Sequence, residues 1–156
     1  MNSQKLIDNF STHLKNTIAR AISLSAYLGA PQVEPVHMLA ALTKEDGAIA
    51  AEVLKRLKIT YEAVVKIIAE KNNIQSADEL STIDSNLPEL STRTRSVLEK
   101  AMLLAYNRSH NYIGTEHLLY GLLSSKEPII HDVFEQHKVA YDEIEQYLET
   151  AFQNTS

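Results

Sequence analysis

Five side chains able to move protons or hold metals crowd the second half of the chain: His110, Glu116, His117, His131 and His137. Gathered on one ion they would make a hydrolytic metal centre, since imidazoles and a carboxylate are the usual donors of such a site. Their spacing argues against it. No His-Glu-x-x-His pattern sets two imidazoles one helical turn apart, and His131 and His137 fall on different sides of a helix. The absence of cysteine removes disulfides, thiolate metal sites and a cysteine nucleophile together. Gly29, Gly47, Gly114 and Gly121 form no Gly-x4-Gly-Lys phosphate loop, and no Gly-x-Ser-x-Gly presents a serine nucleophile. We expect no catalytic residues and no metal; a small helical metal-dependent enzyme built on these histidines is the competing reading.

Two of the histidines have a different explanation, because His117 repeats His37 at an offset of 80 residues. Aligning 7–70 with 87–150 without a gap yields 11 identities in 64 positions, among them Ser11/Ser91, Ala21/Ala101, Leu24/Leu104, Leu39/Leu119, Leu42/Leu122 and Tyr61/Tyr141. A duplicated unit is the reading. Each repeated histidine sits just inside a helix start among apolar residues, which suits a hydrogen-bonded packing role. Glu116 differs. In the first turn of a helix capped by Thr115 its carboxylate is stabilised by the helix dipole, or is free to recognise a cationic group.

The elements that must position these residues are helices. Ser11 or Thr12 starts one running to about Leu28, with Leu14, Ile18, Ala21 and Ile22 on one face and Gly29 just past its end. Pro35 opens a second, which stops near Asp46-Gly47; Ile49 to Leu57 forms a third; Thr60 caps a fourth containing Val64, Ile67 and Ile68. The second unit repeats the plan at Ser91–Arg108, Thr115–Ser124, Pro128–His137 and Ala140–Phe152, with a fraying end at 153–156. Between the units, Asp78, Glu79, Asp84 and Glu89 occupy a polar, acidic spacer with one helical turn expected around Ala77 to Leu80. Four amphipathic helices cannot bury their apolar faces alone, so the units should pack on each other about an approximate two-fold axis.

The whole chain is 156 residues with a formal charge of -5, which argues against a surface that tracks nucleic-acid phosphates. No run approaches the roughly 20 apolar residues of a membrane span, and the first residues lack an apolar leader, so a cytoplasmic, soluble protein without membrane contact is expected. One further constellation lies ahead of the first helix of each unit. Ile7 and Phe10 match Leu87 and Leu90, with Lys15 and Arg95 equivalent one turn in. Packed as a pseudo-dimer, these residues are either core or an apolar groove with cationic edges that takes a peptide or partner protein.

The doubled pattern, with Ser91-Thr92-Arg93 through Val97-Leu98 and Ala101, then Ile113-Gly114-Thr115-Glu116-His117-Leu118-Leu119, resembles the Clp N-terminal (Clp R) repeat domain over about residues 5 to 152. That domain precedes the AAA+ rings of the ClpC, ClpA and ClpB unfoldases. The second unit is most similar to ClpC, whereas Glu34-Pro35-Val36-His37 is more like the first repeat of ClpB. The resemblance implies an all-α, eight-helix domain of two pseudo-two-fold-related four-helix repeats. It would be one domain over 1–156, with repeat one at 7–70, the acidic linker at 71–89 and repeat two at 90–152.

It also implies a function: receiving substrate and adaptor proteins and delivering them to an ATP-driven ring, which in ClpC and ClpA feeds the ClpP protease. No cofactor is expected here, because ATP and Mg belong to AAA+ modules whose Walker motifs this sequence lacks. The chain is then either the excised N-domain of such an unfoldase or a stand-alone Clp accessory protein. The family's apolar groove maps onto Ile7, Phe10, Lys15, Leu87, Leu90 and Arg95. Some ClpC-type members bind phosphoarginine; the resemblance places Glu116 on the guanidinium and Ser91, where threonine is usual, near the phosphate. Val36 stands where the first repeat would need its glutamate, so at most one such pocket is expected.

Overall fold

Helix starts and stops follow the side chains that can satisfy orphan backbone groups. Ser11 accepts a hydrogen bond from Leu14 N at 3.0 Å and opens α1, Thr12–Tyr27; Ser91 does the same for Thr94 N at 3.1 Å and opens α5, Thr92–Asn107. A computed structural model describes residues 8–72 and 87–154. After α1 come β1, Gln32–Val33, then α2, Pro35–Lys44, α3, Ile49–Arg56, and α4, Tyr61–Asn72. After β2, Glu89–Leu90, and α5 follow α6, Thr115–Ser125, α7, Pro128–Gln136, and α8, Tyr141–Asn154. Eight helices in two sets of four are thus present among the described residues. The backbone repeats as well as the sequence: Gly29 and Ser109 both take positive φ (70° and 58°), as do Lys58 and Lys138 (63° and 57°).

Several boundaries differ from the sequence expectation. Gly114, not Thr115, is the N-cap of α6, and Thr115 is its first helical residue. Lys71 and Asn72 continue α4, and Glu89 belongs to β2, so both ends of the expected 71–89 spacer are regular structure. The helical turn expected at Ala77 to Leu80, with Asp78, Glu79 and Asp84, lies outside the described residues, as does the 155–156 end; α8 itself runs through Gln153 to Asn154.

The two strands were not foreseen, and they explain how the repeats interlock. Val33 pairs with Leu90 in parallel β1–β2, while Phe10 forms an isolated parallel bridge with Ile113. Ser91 N donates to Val33 O at 3.0 Å and Ser11 N to Ile113 O at 2.9 Å. Each repeat's lead-in therefore pairs with the stretch ahead of the second helix of the other, at positions related by the same 80-residue offset. Such reciprocal exchange is what an approximate two-fold produces.

One hydrophobic core runs through both repeats. Its centre is α2 and α6: Val36, Met38, Leu39, Ala40, Ala41 and Leu42 on one, Leu118, Leu119, Leu122 and Leu123 on the other, are all buried. Helices apolar on nearly every side must be covered on every side. Accordingly α1 packs on α2 and α5 on α6, α3 reaches across to α6 and α8, and α7 reaches across to α2 and α4. Gly121 marks a close approach of α6 to α5, since a Cβ there would meet Val97 O at 2.7 Å.

Candidate partner-binding site

The residues singled out from the sequence fall into three environments. Lys15 and Arg95 are exposed on the first turns of α1 and α5, and Leu87 is 68% exposed, a costly arrangement for a leucine in water. Phe10 and Leu90 are half-buried against the core, each on a bridging segment between repeats. Ile7 lies outside the described residues.

Ser91 and Glu116 are both buried, at 4% and 3% exposure. The Ser91 hydroxyl caps Thr94 N and donates to Thr94 Oγ1 at 3.0 Å, and Thr94 Oγ1 in turn donates to Val33 O at 2.7 Å. Ser91 is thereby set beside the stretch leading into α2, whereas Ser11 is the residue set beside Ile113 on the way into α6 and Glu116. Glu116 folds back over Gly114: its carboxylate accepts from Tyr112 Oη at 2.7 Å, and a Cβ at residue 114 would collide with Glu116 Oε1 and lie 2.9 Å from Tyr112 Cε2. In repeat one the equivalents are Glu34 and the buried Val36, so that fold-back has no counterpart there.

The repeated histidines are packing residues with a defined hydrogen-bonding job. His37 Nδ1 accepts from Glu34 N at 2.8 Å and His117 Nδ1 accepts from Gly114 N at 2.9 Å, each imidazole satisfying the N-cap amide ahead of its helix. Burial pushes the His117 imidazole down to about 4, helped by the neighbouring His110 and Arg108; burial also lowers His37, with the Glu34 charge acting the other way. The other histidines separate. His131 reaches Glu135 on its own helix at 3.3 Å, and His137 bonds Val133 O at 2.6 Å. Among the described residues no three His, Cys, Asp or Glu side chains gather as a metal ion would need.

Sequence reasoning overlooked the surroundings of His117. His110 Nδ1 lies 2.8 Å from His117 Nε2, Phe152 stacks on the His117 ring at 5.2 Å, and Arg108 sits 4.8 Å over Phe152 while bonding Glu149. Repeat one has Ala30, Asn72, Leu28 and Ala69 at those four positions, so a comparison of the repeats carries no trace of the cluster.

With this geometry in view, comparison with known proteins is decisive. The Clp repeat (R) N-terminal domain matches residues 9–88 and again 89–156. The chain belongs to the Clp N-terminal repeat domain family. It is 30% identical over 129 residues to the ATP-dependent Clp protease ATP-binding subunit ClpC of Staphylococcus aureus, which covers 83% of this chain and 15% of that protein. This Clp repeat domain therefore spans about 15% of the length of the curated relatives it matches. Its fold is that of the ClpV N-domain from Vibrio cholerae (TM-score 0.73, 16% identity, 98% of this chain and 90% of that one). The Hsp104 N-terminal domain from Candida albicans is similar too (0.70, 21%, 90% and 89%). So is a ClpV N-domain solved in complex with a VipB peptide (0.66, 16%, 98% and 92%). No helix among the described residues is long and apolar enough to cross a membrane.

Proposed function

We propose that this Clp repeat domain is a non-catalytic receptor that binds substrate and adaptor proteins for a Clp/Hsp100 AAA+ unfoldase, of ClpC type. Membership of the family by both repeats carries the reading, and the peptide complex of a ClpV N-domain supports it. ATP and Mg would be bound by AAA+ modules of the parent protein, whose ring would pass captured chains to ClpP in the cytoplasm. The alternative is a stand-alone accessory protein that docks onto such a ring.

The docking groove in this reading is Ile7, Phe10, Lys15, Leu87, Leu90 and Arg95. An exposed leucine and two exposed cations in the lead-ins and first helical turns offer apolar burial with charge selection. Titration of fluorescein-labelled casein by anisotropy tests it. Leu87→Ser and the double charge reversal Lys15→Glu/Arg95→Glu, all at exposed positions, should each weaken binding by roughly tenfold, about 1.4 kcal/mol. Unchanged affinity in both would remove this groove from consideration.

Phosphoarginine recognition through Glu116 is the finer proposal for the same domain. Glu116 already accepts one hydrogen bond from Tyr112, so a guanidinium would compete with the phenol for the carboxylate. Free phosphoarginine titrated into wild type and Glu116→Ala decides it: equal affinities would end the idea.

A further inference from the structure

The contact between His110 and His117 has only one arrangement of protons. Gly114 N–H points at His117 Nδ1 from 2.9 Å, so that nitrogen must carry a lone pair and the ring proton resides on Nε2. His117 Nε2–H then faces His110 Nδ1 at 2.8 Å, so His110 must be the acceptor with its own proton on Nε2. His117 cannot reverse its tautomer without setting N–H against the Gly114 N–H. The pair holds only while both rings are neutral.

Three elements meet on it. His110 follows the end of α5, His117 lies in the first turn of α6, and Phe152 near the end of α8 packs on both rings, 5.6 Å from His110 and 5.2 Å from His117. The titratable groups around the pair are Arg108 at the end of α5, Tyr112 in the connection, Glu116 and Tyr120 on α6, and Glu149 on α8. Arg108 is held by Glu149 over the Phe152 ring, so α8 is tied down by the aromatic stack and the ion pair together.

We propose that the His110–His117 pair is an acid-sensitive latch that fastens the end of α8 to α5 and α6, and that only repeat two has it. An imidazole that takes up a second proton presents N–H from both ring nitrogens. A proton on His110 Nδ1 puts N–H against N–H at 2.8 Å, and His110 must swing out. His117 Nε2–H is then buried without an acceptor and Phe152 loses the His110 ring from its aromatic stack, which loosens the last turns of α8. The displacement also reaches the candidate binding carboxylate, because Tyr112, stacked 6.1 Å from His110, is the donor to Glu116. At the equivalent positions repeat one has Ala30 and Asn72, neither of them aromatic, so its sequence does not supply α4 with the same pair and stack.

Amide hydrogen exchange of the whole chain at pH 7 and pH 5, corrected for intrinsic rates, reads the latch. The exchange of Leu148 to Phe152 relative to Ile67 and Ile68 of α4 should rise by at least about tenfold on acidification, the effect of leaving one buried donor unpaired. In His110→Gln, which offers a carbonyl to His117 and does not titrate, the ratio should stay constant. A constant ratio in wild type, or the same rise in His110→Gln, overturns the proposal. Should His110→Gln not fold, nitrogen-15 spectra of the wild-type imidazoles at pH 7.5 decide it, because finding the His110 proton on Nδ1 is incompatible with the latch.

Discussion

At the scale of single residues, the two repeated histidines do what their position in the sequence anticipated, and they set a pH dependence. His117 is held neutral, at about 4 against an ordinary 6.5, so the unfolded chain binds a proton there that the folded chain refuses. Stability from this group is complete above pH 6.5 and is lost as pH falls from 6.5 toward 4, by about 3 kcal/mol. His37, lowered in the same direction, adds to the trend. Urea unfolding followed at intervals from pH 7.5 to pH 4.5 should show a falling midpoint, and a flat profile would contradict neutral burial. Thr115 was expected to cap α6, yet its hydroxyl accepts from Ala50 N at 3.3 Å and so caps α3 of the other repeat. Ala48, the N-cap of α3, has no side-chain oxygen of its own. Thr115→Val keeps the shape and removes that acceptor; it should cost about 1 kcal/mol in chemical denaturation, with helix content unchanged.

At the scale of elements, helix periodicity located all eight helices to within a few residues because every one carries an apolar stripe and five have a recognisable start. Ser11, Pro35, Thr60, Ser91 and Pro128 supplied those starts, and Thr60 Oγ1 indeed accepts from Ala63 N at 3.1 Å. The two-residue strands were illegible, since pairs such as Gln32–Val33 and Glu89–Leu90 have no period to detect; only the partner repeat makes them strands. Packing at the α5–α6 contact is tight at one point. Gly121→Ala should destabilise by about 1–3 kcal/mol despite alanine's better helix propensity, because the new methyl meets the Val97 carbonyl. Repeat one carries Ala41 at the equivalent position, so Ala41→Gly should cost only about 1 kcal/mol there. Thermal melts of both variants compare the two contacts directly, and a stabilised Gly121→Ala would mean the helices can part without penalty.

At the scale of the whole molecule, the interlock makes the repeats one folding unit. Phe10 pairs with Ile113, Leu90 with Val33, and the core is continuous from α1 to α8. Residues 8–72 and 87–154 expressed as separate peptides should each show little cooperative unfolding by circular dichroism and regain it on mixing, because each exposes the apolar side of α2 or α6 when alone. A half that melts cooperatively by itself would show that the duplication still consists of independent domains. The groove residues were chosen from the repeat offset, and the structure distributes them between exposed positions, Lys15, Leu87 and Arg95, and half-buried ones, Phe10 and Leu90. Spacing identified the candidates; burial sorted them.

What this sequence determined by itself is the duplication, the helical class and the family, because all three are written in local period and in identities at a fixed offset. Only the tertiary structure decided which repeat completes which. The exchange of lead-ins, the cap that Thr115 gives to α3 and the pairing of His110 with His117 under Phe152 join residues from different elements. Contacts of that kind depend on the relative placement of helices, which no periodicity within a single helix encodes.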